Sequence, residues 1–443
     1  MRIALPSDVS RIISDLESHG YEAYAVGGCI RDSLLGRQPE DWDITTSARP
    51  EEVKKIYRRT IDTGIEHGTV KVMLGKEGYE VTTYRIDGKY SDNRHPDRVE
   101  YTRSLTEDLK RRDFTINAMA YNEKRGLVDE FGGLEDLKNK TIKCVGDPGE
   151  RFGEDALRMF RAVRFAAQLD FKIETGTSEA VKELAGNLRT ISAERIQTEL
   201  VKLITSHHPE KMRDCYELGI TGAILPEFDA MMNTPQHHIH HIYNVGEHTI
   251  RVMENVKPTK VMRLAALLHD VAKPETKTVD EAGDTHFYGH PKVGAEKAVG
   301  ILKRLKFDND SIHKVKTLIY WHDVRPDATP EKIRRLLSKV GEEMFPLLLD
   351  IKYGDICGQS GYMRDEKLDI LRKYRECYEL ILSEKQCFTI KDLAVDGRDL
   401  IAAGIPAGKE IGEKLGELLE IVLDDPDKNK KEILLSYVQK GSD

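Results

Sequence analysis

Strand-like alternation is confined to one end of this chain. Up to about Ile142 the stretches "YEAYAVGG", "GTVKVML" and "YEVTTYRI" alternate with helix-like segments such as "PEEVKKIYRR", in which Pro50 suits a first helical position and Glu51 and Glu52 favour the positive end of the dipole. From Glu154 onward strand signal all but ends, and "EDALRMFRAVRFAAQL" and "ISAERIQTELVKLI" carry apolar residues at helical period. The pattern predicts an α/β (α+β) head followed by an all-helical remainder. The 443 residues also exceed what one core sustains, about 250–300. Turn-rich "KCVGDPGE", "LPEFDAMMNTPQ" and "GDICGQSGYMRDE" mark joints. The expected segments are a head (1–142), a helical neck (143–207), a helical body (208–345) and a helical tail (346–443).

Composition excludes several classes. No apolar run approaches the ~20 residues of a membrane helix, and mean hydropathy is -0.50. The amino terminus "MRIALPSDVSRIISDL" lacks the pattern of a secretion signal, so a cytoplasmic location is expected, with no membrane and no obligate protein partner. Six cysteines without a C-x-x-C pair read as free thiols. A net charge of -8 does not announce a nucleic-acid binder, but it averages over local basic faces.

"EDWDITTSARPEEV" holds the chemistry. On a strand, residues i and i+2 face the same way, so Asp41 and Asp43 would converge while Trp42 packs behind. Such a pair suits Mg²⁺, which takes one or two carboxylates together with phosphate oxygens. Just upstream, Gly27 and Gly28 would let the backbone approach a triphosphate, a helix starting near Cys29 would aim amide donors at it, and Arg31 would add charge. A third carboxylate is expected on a neighbouring strand, where "EVTTYR" offers Glu80. Three such groups could hold two ions, one at the attacking hydroxyl and one at the leaving pyrophosphate.

The ordered stretches "GGCIRDSLLGRQPEDWDI", "RRDFTINAMAYN", "GLVDEFGGLEDL", "EDALRMFRAVRFAAQLDF" and "ISAERIQTEL" resemble the five motifs of class II CCA-adding tRNA nucleotidyltransferases and bacterial poly(A) polymerases, in the DNA polymerase beta-like superfamily. The resemblance implies a nucleotidyltransferase head, with Asp41 and Asp43 on the catalytic Mg²⁺ and Glu80 as third ligand. It implies that Asp113, with Arg112 or Asn117, reads the ribose, and that Asp155 and Arg158 on the neck read the base. Three apart on a helix, Asp155 and Arg158 would share a face, setting acceptors beside donors. Cytosine and adenine match such an edge, whereas guanine and uracil invert it. Arg161 and Arg164 would extend this face toward triphosphate or RNA. The segment "RIDGKYSDNRHPDRVEY" fits the family's loop for switching from C to A addition. The implied function is addition of 3′-terminal CCA to tRNA from CTP and ATP. A-only addition, poly(A) synthesis, or a hydrolase or RNA scaffold with an inactive head are the alternatives.

Farther on, "HHIYNVGEHTIRV", "AALLHDVAKPETKT", "HFYGHPKVGAEKA" and "YWHD" resemble an HD metal-dependent phosphohydrolase domain over roughly His237 to Val340. The resemblance gives His248, His269, Asp270 and Asp323 as ligands of a second divalent metal, Mn²⁺, Ni²⁺ or Mg²⁺. His290, His286 and His322 are candidates for a further metal or the phosphate. Of His237, His238, His240 and His241, only His241 sits at a position similar to the family's start. The stretch from Phe388 to Asp425 resembles the tRNA-binding tail of HD-containing members, a surface that would contact phosphates and RNA shape.

Overall fold

The structure is a computed structural model; it describes residues 2–64, 68–88, 99–236, 242–281 and 283–439. The chain forms two compact units, Met1–Asp229 and Ala230–Asp443. The expected head and neck thus fall within one unit, and the boundary expected near 207 lies inside it.

Unit 1 is built on a seven-stranded mixed sheet of order β3-β4-β5-β2-β1-β8-β9. In chain order these are β1 (Ala23–Val26), β2 (Ile44–Thr46), β3 (Thr60–Gly64), β4 (Thr69–Leu74) and β5 (Glu77–Thr83), then β8 (Ala120–Asn122) and β9 (Gly126–Val128). Between them β6 (Arg85–Asp87) and β7 (Val99–Tyr101) form a separate antiparallel pair. This pair brackets the loop expected to switch nucleotides, most of which lies outside the described residues.

Central β1 is buried throughout, while β4 alternates, with Val70 and Val72 inward. Alternation of that kind marks a strand covered on one face. The two-residue link from β4 to β5 turns at Gly75, whose φ of +62° favours glycine. Around the sheet lie α1 (Ser7–Ser18), α2 (Gly28–Leu34), α3 (Pro50–Ile56), α4 (Leu105–Lys110) and α5 (Gly133–Lys138). As its sequence predicts, α3 starts on Pro50 with Glu51 and Glu52 in its first turn.

The rest of unit 1 is mainly helical: α6 (Pro148–Glu154), α7 (Leu157–Leu169), α8 (Thr175–Leu184), α9 (Ala193–Ile204) and short helices beyond. It is not purely so. β10 (Thr141–Ile142) pairs in parallel with β11 (Lys172–Ile173), stitching the end of the head to the neck. A two-residue pairing has too little alternation to register in sequence, which is why this segment reads as helical.

Unit 2 is helical apart from a hairpin of β12 (Lys277–Val279) and β13 (Thr285–Phe287). Its core packs the helices Val245–Glu254, Lys260–Leu268, His290–Arg304, Asn309–Trp321 and Phe345–Gly358, with Arg364–Ser383 laid against the last. Among the described residues no helix is long and apolar enough to cross a membrane. All six cysteines are free thiols.

Candidate active site and metal cluster

The two aspartates stand just before β2, which begins at Ile44, and not within a strand as the alternation predicts. The Asp43 carbonyl nevertheless accepts the Val26 N–H at 3.0 Å, carrying the β1 pairing one residue past the strand end. Parallel pairing sets Ile44 against Val81, so the preceding residues Asp43 and Glu80 stand level on neighbouring chains. Glu80 also pairs with Lys71 at 3.7 Å. Water reaches the Asp43 side chain, yet the surrounding protein desolvates it and pushes its carboxyl above the ordinary range. Arg112 opposes that push, and Glu80 and Asp41 add to it. Like charges held this close form a surplus that a cation relieves.

A cavity of about 750 Å³ opens beside these groups, lined by Gly27, Gly28 and Arg31 on one side and by Arg161, Arg164 and Phe165 of α7 on another. Gly27 has φ +85°, which favours glycine, and it sits against the Arg112 guanidinium. A relay of hydrogen bonds runs along the cavity wall. Arg31 is paired with Asp32 and donates to Asn117 at 2.7 Å. Asn117 donates to Asp113 at 3.1 Å, and Asp113 accepts from Arg161 at 2.6 and 2.9 Å. Burial would raise the Asp113 carboxyl, but Arg161 and the Asn117 hydrogen bond outweigh it and hold the group well below the usual carboxylate range.

The structure does not bring Asp155 and Arg158 together as one face-sharing pair. Asp155 ends α6 with extended dihedrals and lies outside α7. Its carboxylate accepts the Leu157 amide at 3.1 Å and Arg195 of α9 at 2.7 Å. Arg158 pairs with Glu154 and donates to the Arg111 carbonyl at 2.9 Å. Neither side chain lines the 750 Å³ cavity. Helical spacing misplaces them because the helix breaks between them.

Three positioning residues escape sequence reasoning. Asp108 is fully buried, takes the Thr45 hydroxyl at 2.9 Å and Arg111 at 2.8 Å, and lies 3.8 Å from Arg112. Glu199 accepts from Arg164 at 2.8 Å and lies 3.9 Å from Arg161. Arg195, the third, anchors Asp155. The motif "ISAERIQTEL" carries the last two, but a charged helix face gives no hint of which charges turn inward.

In unit 2, four histidines surround Asp270. His248, His269, His290 and His322 are all buried, and each presents its Nδ1 to a backbone carbonyl, of Gly358, Ala266, Phe287 and Ile319, at 2.7–3.2 Å. Each Nδ1 therefore donates its proton to a carbonyl, and four Nε2 atoms turn inward. His248 Nε2 and His269 Nε2 face each other at 3.2 Å. The two Asp270 oxygens address different pairs. Oδ2 lies 3.5 and 3.2 Å from His248 and His269, and Oδ1 lies 3.4 and 3.8 Å from His290 and His322. Both oxygens are buried, and the Lys273 ammonium stands 2.7 Å from Oδ2.

Asp323 is not in this cluster. Its side chain, 38% exposed, pairs with Arg325 at 2.8 Å. Asp355, from helix Phe345–Gly358, takes the expected place, 3.0 Å from His248 Nε2. The resemblance to the HD pattern implies Asp323 as a ligand, whereas the helix end turns it toward Arg325. His286 is also outside, paired with Asp280 at 2.8 Å on the β12–β13 hairpin. His237, His238, His240 and His241 lie outside the described residues.

The fold and its carboxylate edge define a nucleotidyltransferase, and comparison with known proteins bears on the class directly. Residues 23–143 match the poly A polymerase head domain, 170–232 the probable RNA and SrmB-binding site of polymerase A, and 285–438 a putative tRNA nucleotidyltransferase domain 2. The CCA-adding enzyme of Enterococcus faecalis is 35% identical over 441 residues, covering 98% of this chain and 95% of that protein. That of Levilactobacillus brevis is 37% identical, covering 96% of each. The crystal structure of the Bacillus stearothermophilus CCA-adding enzyme in complex with CTP superposes with a TM-score of 0.72 at 30% identity, covering 98% of this chain and 96% of that one. The chain belongs to the CCA-adding enzyme family.

The buried carboxylates set an acid limit. Asp113 and Asp108 are both held below their unfolded values of about 3.9, so each contributes stability that is complete above that pH and is lost as pH falls toward the folded value. Asp113→Asn should therefore flatten the loss of unfolding free energy between about pH 5 and pH 2.5 in urea titrations. At pH 7 it should cost about 2 kcal/mol, because Arg161 loses its counter-charge in a part-exposed setting. An unchanged acid slope would contradict this assignment.

Proposed function

We propose that this chain adds C, C and A in turn to the 3′ end of tRNA, taking CTP and ATP, releasing pyrophosphate and acting in the cytoplasm. The observation that carries the reading is the level placement of Asp43 and Glu80 beside Asp41, next to a cavity that Arg31, Arg112, Arg161 and Arg164 line, in a chain that belongs to this family over nearly its whole length.

Asp41, Asp43 and Glu80 would hold Mg²⁺, for which carboxylate oxygens are suitable donors and the mutual repulsion at Asp43 supplies the charge surplus. The ion would supply activation of the attacking hydroxyl and neutralisation of charge on the leaving pyrophosphate. The remaining roles belong to the protein. Gly27 and Gly28 leave room for the triphosphate, and Arg31 sits beside it. Asp113 turns one oxygen to Arg161 and the other to Asn117, which orders the wall where the ribose would lie, with Arg112 behind Gly27. Asp155 and Arg158 read the base, Asp155 through lone pairs beyond those taken by Leu157 and Arg195, and Arg158 by exchanging Glu154 for the nucleotide. Arg161 and Arg164 serve triphosphate or RNA. The tail from Phe388 to Asp425 binds tRNA through its phosphates.

A second activity rests on a separate observation, the Asp270 carboxylate with one oxygen facing each of two histidine pairs. His248, His269, Asp270 and Asp355 would hold one divalent metal, and His290 and His322 with the other Asp270 oxygen a second. The donor set of imidazoles and carboxylates suits Mn²⁺, Ni²⁺ or Mg²⁺. Such ions would supply Lewis-acid assistance to hydrolysis of a phosphate ester, the chemistry of an HD phosphohydrolase.

The primary test incubates the protein with Mg²⁺, CTP and ATP and tRNA transcripts ending before CCA or after CC. Products should stop after three and one added nucleotides respectively, and Asp41→Ala should lower the rate by at least about 10³-fold. A-addition to the CC-ended transcript alone would mean an A-only enzyme, a long ladder with ATP would mean a poly(A) polymerase, and no extension would mean an inactive head. For the second activity, equilibrium dialysis of the Asp41→Ala, Asp43→Ala chain should retain two Mn²⁺ per molecule, and His269→Ala on that background should lose at least one. Retention of both would remove His269 from the site.

A further inference from the structure

The residue between the two aspartates serves a different space. Asp41 and Asp43 line the cavity of about 750 Å³, whereas Trp42 lines a separate groove of about 670 Å³. This groove runs between the amino-terminal segment Arg2–Pro6 and the link from α2 to β2, and buried Ile3 pins that segment in place. Its walls are apolar at Leu5, Leu34 and Pro39 and cationic at Arg2 and Arg37, with half-buried Trp42 among them. Among the described residues no carboxylate lines it. Arg37 spends one donor on the Gln168 carbonyl at 3.2 Å, and its side chain is otherwise exposed, as is that of Arg2.

Charge and ring chemistry select the occupant. Two guanidinium groups and an indole face suit an anionic chain that carries flat rings. An unpaired nucleic-acid strand offers both, phosphates for the arginines and base faces for the tryptophan. An apolar peptide would leave both arginines without a counter-charge, and a nucleoside triphosphate has its own place beside Gly27, Gly28 and Arg31 in the larger cavity.

Continuity selects which part of the strand. Arg37 and Gln38 line both spaces and so form a rim between them. A strand whose 3′ end enters the reaction cavity across that rim brings its preceding base to Trp42. Because Trp42 lies between Asp41 and Asp43 in the chain, a base seated on it is fixed relative to the carboxylate edge by one residue of backbone on either side. Stacking tolerates every base, which suits a protein that accepts many tRNAs.

Building on the tRNA reading above, we propose that the Trp42 groove docks the unpaired 3′ end of the RNA substrate, with a base on the indole and the flanking phosphates on Arg2 and Arg37. Trp42 is then a positioning residue. It sets where the 3′ hydroxyl stands and takes no part in bond making.

The chain has two tryptophans, so Trp321→Phe leaves Trp42 as the sole indole reporter. In that background, with EDTA present, a transcript ending before CCA should quench Trp42 fluorescence in step with binding followed by anisotropy of the labelled RNA. The same transcript trimmed to a blunt acceptor stem should bind without the quench, and CTP alone should not reproduce it. Arg2→Ala with Arg37→Ala should lower the salt slope of RNA binding by about 2. In extension assays, Trp42→Leu should raise KM for RNA at least about fivefold with KM for CTP within about twofold, and Trp42→Phe should recover most of the loss. RNA binding without a quench, an equal quench from the blunt stem or from CTP, or a Trp42→Leu defect confined to kcat would overturn the groove and leave the tRNA reading intact. Failure of the unaltered chain to extend any RNA would remove the tRNA reading and the groove with it.

Discussion

The ion pair between Asp113 and Arg161 is the joint on which unit 1 depends. Asp113 follows α4 and precedes β8 of the sheet, and Arg161 lies at the middle of α7 in the neck. Their contact fixes the sheet edge that carries the carboxylates against the helix that walls the cavity. Two further cationic groups of the cavity are linked to it: Arg31 through Asn117, and Arg164 through Glu199, which also faces Arg161. Arg164 in turn stacks on Phe165, its guanidinium carbon 3.6 Å from the ring centroid. The donors along this wall therefore have their directions already set; under the proposed function, such pre-organisation would let a protein without a template refuse a base that leaves buried polar groups unpaired.

Much of this was legible in sequence because backbone constraints leave local marks. Gly27 and Pro50 each state what the backbone must do within a few residues, and the structure places the glycine turn and the α3 start accordingly, whereas Asp41 and Asp43 fall just before β2 and not on a strand. What was not legible depends on distant partners. Asp108 looks like any acidic residue on the exposed face of a short helix, yet it is the buried anchor of Arg111 and Arg112. Asp155 and Arg158 obey helical spacing, but the helix is interrupted at Asp155, and their partners Arg195, Glu154 and the Arg111 carbonyl come from elsewhere.

The same contrast divides the histidine–aspartate cluster of unit 2. His248 and the His269–Asp270 pair were legible because they sit in short, recognisable runs. Asp355 sits in "KYGDICGQ", whose only local signal is a helix carrying one inward carboxylate, and it is brought to His248 by packing across about a hundred residues. The resemblance of "YWHD" to the HD pattern points to Asp323, but consecutive residues at a helix end point in different directions, and His322 joins the cluster while Asp323 pairs with Arg325. Lys352 reinforces that turn, donating to the His322 and Val324 carbonyls at 2.6 Å.

Selection by a preset protein surface, with no nucleic acid supplying the pattern, is the claim most worth testing directly. Calorimetric binding of CTP, ATP, GTP and UTP to the RNA-free chain in Mg²⁺ isolates it. The account predicts that CTP and ATP bind at least about tenfold more tightly than GTP and UTP. Equal affinities for all four would contradict it and move the choice of base to the RNA-bound state.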